Sequence, residues 1–388
     1  MKVTIIGWYG TETIGDRAIL AGLISLISRA TDNLEIELGS LYPFFSERMV
    51  KEDLNLIHEM CGKKVPITLF DSKNSHELSK SIERTDITVM GGGPLMDLEE
   101  VYMVEYAFKI AKKKKKKTAL LGCGIGPLFH NCYKKSVINT AKNADLILLR
   151  DSKSIENLKE IACEYNVKLD FDQISSSLDP AVEVGLYISS KRKAQINNTI
   201  CINIRDFPAK YSKEIKQEEI NQSLANFVKK LAKENPENEI LLVPMHYFHI
   251  GDDDRIFMSN ILLDTDIANL QIQQKPLSLR ETFEIFQDAY YNIGMRFHSV
   301  VFQTIVSGRN YVLDYTEPKK GKISGFLKDV DHCNFYTSRY IALQNQVPKL
   351  DLIKDTNSSF EVDRLSVNNK LKIYIEKFES LINENPSC

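Results

Sequence analysis

The segment Val3–Arg29, with the sequence VTIIGWYGTETIGDRAILAGLISLISR, contains the pattern that decides the fold. Three of its first four residues are apolar, so Val3–Ile6 predicts a buried strand, and Gly7–Gly15 predicts a turn. Asp16–Arg29 has the apolar spacing of an amphipathic helix. The apolar runs Ile87–Met90 and Thr118–Leu121 also lead into glycines. Short apolar strands that alternate with helices indicate a parallel sheet covered on both faces.

A second series of the same kind follows the polar stretch Ser189–Asn198, which we interpret as a linker. It contains the strands Ile200–Ile204, Glu239–Val243 and Ala289–Ile293. We therefore expect an α/β protein of two Rossmann-like, doubly wound domains facing across a cleft. The predicted domains are residues 1–187 and 188–358, with a C-terminal helix in residues 359–388.

The composition excludes several classes of protein. The 50 basic and 52 acidic residues give a net charge of −2, which does not favour a nucleic-acid partner. The seven cysteines are scattered and lack the spacing of a metal site, as expected in a reducing compartment. The sequence has no apolar stretch of 18 residues and no signal-peptide pattern at its start. We expect a cytoplasmic protein without a bound metal.

The segment GMRFHS (Gly294–Ser299) stands at the junction between an apolar strand and an apolar helix. The first N–H groups of a helix lack backbone partners and attract anions. Arg296 can bind a carboxylate or a phosphate through two hydrogen bonds, and His298 can donate a proton. The pattern therefore suits an anionic substrate that needs acid catalysis, although a polar helix start is the simpler interpretation of these six residues alone.

Glycine-containing turns follow three predicted strands. Gly10 lies in the first turn, which leads to Asp16, a carboxylate suited to capping the next helix. Gly92 and Gly93 belong to a run of three glycines, which lets backbone amides approach a ligand. Asp97 could accept hydrogen bonds from a sugar hydroxyl or begin the next helix. Close packing of the backbone explains the glycines about as well as ligand binding does.

Two further positions follow strands of the second series. Arg205 ends its first strand, where open sheets place ligand-binding residues. His246 precedes Asp252-Asp253-Asp254, but three consecutive carboxylates cannot all point one way. We therefore favour a hydroxyl-binding or structural role here over a metal site.

Lysines occupy every position from 112 to 117, where a helix that starts near Leu98 is predicted to end. Cations at a helix C-terminus complement its dipole, so a solvated helix end is the favoured interpretation. Attraction to an anionic membrane surface or to a lipid-linked substrate is the alternative.

Taken together, these segments resemble the polysaccharide pyruvyl transferase family. The resemblance runs from residue 3 to about residue 327, in the family's order, through the segments GWYGTETIGDRAIL, GGGPLMD, GCGIGPL, RDSKSIENL, SLDPAV (177–182), INIRDF, PMH with DDD, GMRFHS and YTEPKKGKISGFL. Thr13 stands where the family usually shows asparagine. The family's lysine near the end of the pattern matches Lys322 by its spacing to Phe326, and Lys319 by its adjacency to Pro318; Lys320 lies between them.

The resemblance implies a GT-B-like fold and phosphoenolpyruvate as the donor, with no metal or redox cofactor. The expected reaction places a pyruvate ketal across two hydroxyls of a sugar and releases phosphate. Because the donor carries a carboxylate and a phosphate, Arg205 and Arg296 are the expected cations, beside Gly294. His298 is the expected general acid, and Lys322 is expected to stabilise the leaving group.

The resemblance also implies an acceptor sugar in an exopolysaccharide or capsule, or in its lipid-linked precursor. The first domain is the expected acceptor side. The residues assigned to the acceptor or to the glycine turns are Gly10, Asp16, Gly92, Gly93, Asp97 and His246. A nucleotide-sugar glycosyltransferase and a non-catalytic sugar- or phosphate-binding protein are the alternatives, because a shared fold does not fix the chemistry. Peripheral association with a membrane is compatible with each of them.

Overall fold

The computed structural model describes residues 1–212, 215–248, 252–263, 265–317, 321–353 and 355–383. The chain divides into two compact units. The first contains Met1–Glu12, Asp16–Val184 and the C-terminal helix, and the second contains Thr13–Gly15 and Gly185–Asp363. The short segment Thr13–Gly15 thus packs with the second unit although its neighbours on both sides belong to the first.

The first unit is built on one parallel sheet. Its strands are β1 (Lys2–Ile6), β2 (Glu35–Ser40), β3 (Ile67–Asp71), β4 (Ile87–Met90), β5 (Pro94–Leu95), β6 (Lys117–Ile125), β7 (Leu146–Leu149) and β8 (Ser175–Ser176). They lie in the order β3-β2-β1-β4-β6-β7-β8, with β5 beside β6. Its helices are α1 (Ile14–Ser28), α2 (Pro43–Cys61), α3 (Ser75–Arg84), α4 (Val101–Lys113), α5 (Asn131–Lys142), α6 (Ser152–Glu164), the first part of α7 (Ala181–Lys191), and the C-terminal helix, called α13 (Arg364–Asn383).

The second unit is also built on a parallel sheet. Its strands are β9 (Thr199–Asn203), β10 (Glu239–Leu242), β11 (Leu270–Ile272), β12 (Tyr291–Gly294), β13 (Asn310–Asp314) and β14 (Tyr340–Ala342), in the order β11-β10-β9-β12-β13-β14. Its helices are α8 (Gln217–Glu234), α9 (Asp254–Leu262), α10 (Leu279–Asp288), α11 (Phe297–Val306) and α12 (Lys322–Val330). All residues of β9, β12 and β13 are buried, as expected of central strands covered on both faces, and these include the polar Asn203, Asn292, Asn310 and Asp314.

The prediction of two parallel-sheet α/β domains is confirmed. In each sheet the strand order reverses beside the strand that comes first in the unit, between β1 and β4 and between β9 and β12. Open parallel sheets bind ligands at such switch points, at the C-terminal ends of the strands. In the second unit, the loops that follow β9 and β12 therefore lie where folds of this kind bind ligands.

Several predicted boundaries were wrong in detail. Helix α1 begins at Ile14, so Asp16 lies in the first turn of the helix and does not precede it. The start is earlier because the Ile14 N–H donates to the carbonyl of Met245 (3.1 Å) and holds this segment in place. The predicted linker starts inside α7, which continues to Lys191.

The lysine run is also divided differently from the prediction. Helix α4 ends at Lys113, and Lys117 already begins β6. In the part of the chain that the structure describes, no helix has both the length and the apolar composition to cross a membrane.

Candidate active site

The ends of β9 and β12 bring two arginines to one edge of the second sheet. Gly294 pairs with Asn203 in register, so Arg205 and Arg296 each follow their strand by two residues. The fully buried Asn203 side chain binds the segments that follow β12 and β10: its Oδ1 accepts from the Arg296 N–H (3.0 Å) and its Nδ2 donates to the Val243 carbonyl (2.9 Å). Neighbouring strand ends therefore place both predicted cations in one region, as the parallel sheet requires.

Arg296 is buried and forms a two-pronged ion pair with Asp254. Its Nε lies 2.8 and 2.9 Å from the two carboxylate oxygens, and its Nη2 lies 2.5 Å from Oδ1. Its Nη1 lies 3.2 Å from Nε2 of His246. One side of the guanidinium is thus bound to protein, and the side with Nη1 faces the imidazole. Arg296 organises the site through Asp254 and His246 before any ligand binds.

The three consecutive aspartates each bind a different arginine. Asp252 Oδ2 accepts from Arg205 (3.0 Å), Asp253 binds its neighbour Arg255, and Asp254 binds Arg296. Asp254 also accepts the backbone N–H groups of residues 245 and 246 (3.0 and 3.3 Å). The carboxylates point in different directions, as the sequence indicates. Across the described residues, no cluster of three or more His, Cys, Asp and Glu side chains could hold a metal ion.

Arg205 is a partly buried cation whose carboxylate partner is exposed. Its side chain is 14% accessible, whereas that of Asp252 is 80% accessible. Burial, and after it the positive charge of Arg296, lowers the pKa of the Arg205 guanidinium, with Asp252 and Asp254 acting in the opposite direction. Two arginines that repel each other make a region that favours an incoming anion. An exposed aspartate is a weak competitor for such a position.

Tyr315 marks the centre of this positive region. Burial would raise the pKa of its hydroxyl, but the charges of Lys322, Arg205 and Arg296 outweigh burial and lower the pKa below its ordinary value of 10.0. The Lys322 Nζ lies 5.8 Å from the centre of the Tyr315 ring and 5.6 Å from that of Phe297. Three cations therefore converge on one buried hydroxyl.

Lys322 occupies an electrostatically unfavourable place in its own helix. It is the first residue of α12, where the helix dipole disfavours a cation. The charge of Lys322 therefore does not stabilise its own helix, but it does lower the pKa of Tyr315. Lys319 and Lys320, the other predicted candidates, lie outside the described residues.

His298 is the second residue of α11, in its first turn. Its ring centre lies 4.9 Å from that of Phe297. The ring packs closely against the backbone of Gly15: a Cβ at Gly15 would lie only 1.8 Å from the imidazole Nδ1. The adjoining Thr13 forms an antiparallel bridge with His246. The segment Thr13–Gly15, which belongs to the second unit, therefore contacts the backbone of His246 and the ring of His298.

The predicted glycines satisfy requirements of packing. A Cβ at Gly294 would lie 2.5 Å from the Gln303 Oε1, so this glycine lets α11 approach β12. In the first unit, a Cβ at Gly92 would lie 2.7 Å from the Tyr9 hydroxyl, and one at Gly93 would lie 2.1 Å from the Trp8 ring. Gly10 has a φ of +85° and contacts the strand end at Ser40.

The predicted acidic residues of the acceptor side lie in the first unit. Asp16 is half-buried in the first turn of α1. Asp97 accepts hydrogen bonds from the Phe129 N–H (2.9 Å) and from Nδ1 of His130 (2.7 Å). Asp97 therefore has protein partners before any sugar binds, while His246 lies beside Arg296 in the second unit. The roles of all these residues toward an acceptor stay predictions.

Sequence reasoning missed three residues that shape the second-unit site: Asn203, Asp254 and Tyr315. Each has a positional signal. Asn203 ends β9, Tyr315 directly follows β13, and Asp254 begins α9, so all three lie at the ligand-binding edge of a parallel sheet. The sequence does not say which of three adjacent aspartates turns inward, nor that a tyrosine lies among the cations.

Comparisons with known proteins give the family. The sequence profile of the polysaccharide pyruvyl transferases matches residues 14–315, which is most of the chain and includes the whole Arg205–Tyr315 region. The chain belongs to the polysaccharide pyruvyl transferase family. The predicted family is confirmed, and membership makes the protein a transferase that acts in the pyruvylation of polysaccharides. No sequence among the curated proteins matches this chain.

Solved structures show the same architecture at low identity. The UDP-GlcNAc 2-epimerase of Neisseria meningitidis is 12% identical, with a TM-score of 0.53, over 100% of this chain and 95% of that one. The corresponding epimerase of Methanocaldococcus jannaschii is 12% identical, with a TM-score of 0.52, over 100% and 94%. A 2-epimerase homologue from Listeria monocytogenes is 13% identical, with a TM-score of 0.53, over 96% and 90%. These likenesses establish the GT-B-type fold and nothing about the substrate.

Proposed function

We propose that this protein transfers the pyruvate unit of phosphoenolpyruvate to two hydroxyls of one sugar and releases phosphate. The product is a cyclic pyruvate ketal on a surface polysaccharide or on its lipid-linked precursor. Family membership supports the pyruvylation of a polysaccharide in general terms. The donor and the ketal rest on the site in the second unit.

The observation that carries the proposal is the grouping of Arg205, Arg296 and Lys322 around the buried Tyr315, after the ends of neighbouring parallel strands. Lys322, Arg205 and Arg296 together outweigh the effect of burial on this hydroxyl, so their combined field favours negative charge at this position. Phosphoenolpyruvate brings a phosphate and a carboxylate on a three-carbon skeleton. The N-terminal N–H groups of α11 add a second set of donors for one of these groups.

Arg205 and Lys322 are the cations that we assign to direct contact with the donor. Arg205 exchanges its ion pair with the exposed Asp252 for a group of the donor. Lys322 neutralises charge on the phosphate as the bond to carbon breaks. Arg296, bound to Asp254 on one side, contributes its charge and the Nη1 that faces His246.

His298 supplies the proton that the reaction needs. The methylene carbon of the donor must become a methyl group, so one proton is added there while positive charge develops on the neighbouring carbon. The first sugar hydroxyl attacks that carbon and loses its proton, which restores the proton given by His298. The carbon–oxygen bond to phosphate then breaks, the second hydroxyl closes the ring, and its proton leaves with the phosphate. Gly15 keeps the imidazole in position for the first step.

The test is a reaction of the full chain with phosphoenolpyruvate and a panel of glycans and lipid-linked oligosaccharides. Phosphate release is measured, and the glycan is analysed by mass spectrometry for an added pyruvate ketal. We expect acceptor-dependent release, abolished in the His298→Ala variant with its fold retained. Turnover of a nucleotide sugar with release of a nucleoside diphosphate, and none with phosphoenolpyruvate, would contradict the proposal and favour a glycosyltransferase.

A further inference from the structure

Helix α4 of the first unit presents a stripe of aromatic and basic side chains to solvent. Tyr102, Tyr106, Lys109 and Lys113 follow one another at helical spacing and are all exposed. The two tyrosines are 44% and 38% accessible, so both rings lie partly in solvent beside the lysines. At a rise of ~1.5 Å per residue, the stripe is about 16 Å long.

The segment around the start of α5 widens the aromatic end of this stripe. Phe129, two residues before α5, is 62% accessible. The Tyr133 ring on α5 lies 5.6 Å from that of Tyr102, so the two helices share one aromatic surface. We call the stripe, together with Phe129, Tyr133 and the lysines that follow α4, the aromatic–lysine face.

The lysine end of this face is positively charged although the whole chain is slightly acidic, whereas Asp97, Glu99 and Glu100 lie near Tyr133 at its aromatic end. Between residues 102 and 117 the sequence has seven lysines and one glutamate, so the segment carries a net charge of 7 − 1 = +6. Four of the seven lysines have partners. Lys109 binds Glu105 of the same helix, and Lys112 and Lys114 bind Asp145 and Glu83 of other elements. Lys117 donates to the Leu381 carbonyl. Lys113 and Lys115 are exposed at the end of the helix.

We propose that the aromatic–lysine face binds the surface of an anionic lipid bilayer. Tyrosine and phenylalanine side chains are suited to the headgroup region, and clustered lysines are attracted to anionic lipids. The binding of a surface helix to a membrane grows with the apolar area that it buries and with its attraction to anionic lipids, and this face has both an aromatic and an electrostatic contribution. Duplex DNA would use the lysines but would leave the exposed aromatic stripe unexplained, and the overall charge of −2 does not favour a nucleic-acid partner of either kind.

This inference is independent of the proposed reaction, because it concerns the first unit and is tested without any substrate. The full chain is mixed with vesicles of phosphatidylcholine alone or of phosphatidylcholine with one third phosphatidylglycerol, and the bound fraction is measured by flotation. We expect binding to the anionic vesicles only, weakened as salt shortens the range of the attraction.

The variants separate the two parts of the face. Lys113→Gln/Lys115→Gln should lower the partition coefficient about 30-fold, since each lysine near an anionic surface contributes about 1 kcal/mol, a factor of about 5. The matched control is Lys230→Gln/Lys233→Gln, which removes two exposed lysines of α8 and should leave binding unchanged. Tyr102→Ser/Phe129→Ser should weaken binding to the anionic vesicles by a factor that does not change with salt, because the aromatic contribution does not depend on charge.

Three results would overturn the proposal. The first is the absence of flotation with anionic vesicles. The second is an equal loss of binding in the α8 control. The third is a combination of two results: short duplex DNA displaces the protein from the vesicles, and Tyr102→Ser/Phe129→Ser binds the vesicles as the wild type does. The face would then be a nucleic-acid surface. Circular dichroism of each variant confirms that the comparison is between folded proteins.

Discussion

A single methyl group at Gly15 should inactivate the enzyme without removing any reactive group. The Cβ of an alanine there would lie 1.8 Å from the His298 Nδ1 and 2.3 Å from its Cγ. Ordinary contact begins at 3.4 Å, so the ring must recede by about 1.6 Å. Because the Cγ is also too close, rotation of the ring alone cannot relieve the clash. A misplacement of this size in a catalytic group lowers the rate on the order of 10²-fold.

The free energy of unfolding should fall as well, as a separate effect. Overpacking of a buried site costs about 1–3 kcal/mol, partly offset by the higher helix propensity of alanine in the first turn of α1. The backbone of Gly15 does not lie in the left-handed region, so strain of the main chain adds nothing. The measurements are the rate of phosphate release from phosphoenolpyruvate with acceptor, and the free energy of unfolding in urea.

Two comparisons make this prediction refutable. In Gly62→Ala the new methyl meets no atom within 4 Å, but the residue has a φ of +65°, so this variant should lose stability and keep its activity. In the His298→Ala background the imidazole is gone, and Gly15→Ala should then have almost no further effect on the free energy of unfolding. Full activity of Gly15→Ala, or an equal loss of stability in both backgrounds, would refute the contact between Gly15 and His298.

Three further predictions concern the charges of the second unit. Asp254→Asn should lower the free energy of unfolding in urea by about 3–5 kcal/mol, because it leaves the buried Arg296 without its carboxylate partner. The control Glu234→Gln removes the carboxylate of an exposed ion pair and should have almost no effect. Arg205→Gln should raise the KM for phosphoenolpyruvate at least tenfold in steady-state assays, and an unchanged KM would remove this arginine from the donor site. The pKa of Tyr315 is lower in the folded state, so ionisation of its hydroxyl stabilises the folded state as pH rises through that pKa and contributes nothing below it. The free energy of unfolding in urea of the wild type should therefore exceed that of Tyr315→Phe by a margin that grows toward pH 10. A margin that stays constant with pH would contradict the cationic field around Tyr315.

Much of the fold was predictable from periodicity. Continuous apolar strands, such as those before Gly91 and Gly294, indicated parallel sheets, and glycines marked the turns after them. The boundaries of α1 and α4 were less predictable because tertiary contacts set them. The Ile14 N–H finds its acceptor at Met245, more than 200 residues away, and no local pattern contains that information.

The site was predictable in its residue types and not in its pairings. Arg205 and Arg296 follow neighbouring strands, so the topology of a parallel sheet was enough to bring them together. The sequence gives no sign that Arg296 is already bound to Asp254, because that pair joins residues 42 positions apart. It likewise gives no sign that Gly15 packs on His298. Contacts between distant loops depend on the order of the strands in the sheet and on the path of each loop. Composition and spacing predict that the strands form a parallel sheet, but they do not predict which loops touch.

The measurement that tests the central claim most directly is the affinity of the full chain for phosphoenolpyruvate by isothermal titration calorimetry. Lys322→Met removes one of the three cations around Tyr315, and Lys328→Met removes an exposed lysine of the same helix as a matched control. We predict that the wild type binds the donor and that Lys322→Met weakens its Kd at least tenfold, about 1.4 kcal/mol, while Lys328→Met leaves it unchanged. Equal affinity of all three proteins, or no binding to the wild type, would contradict a donor site built on these cations.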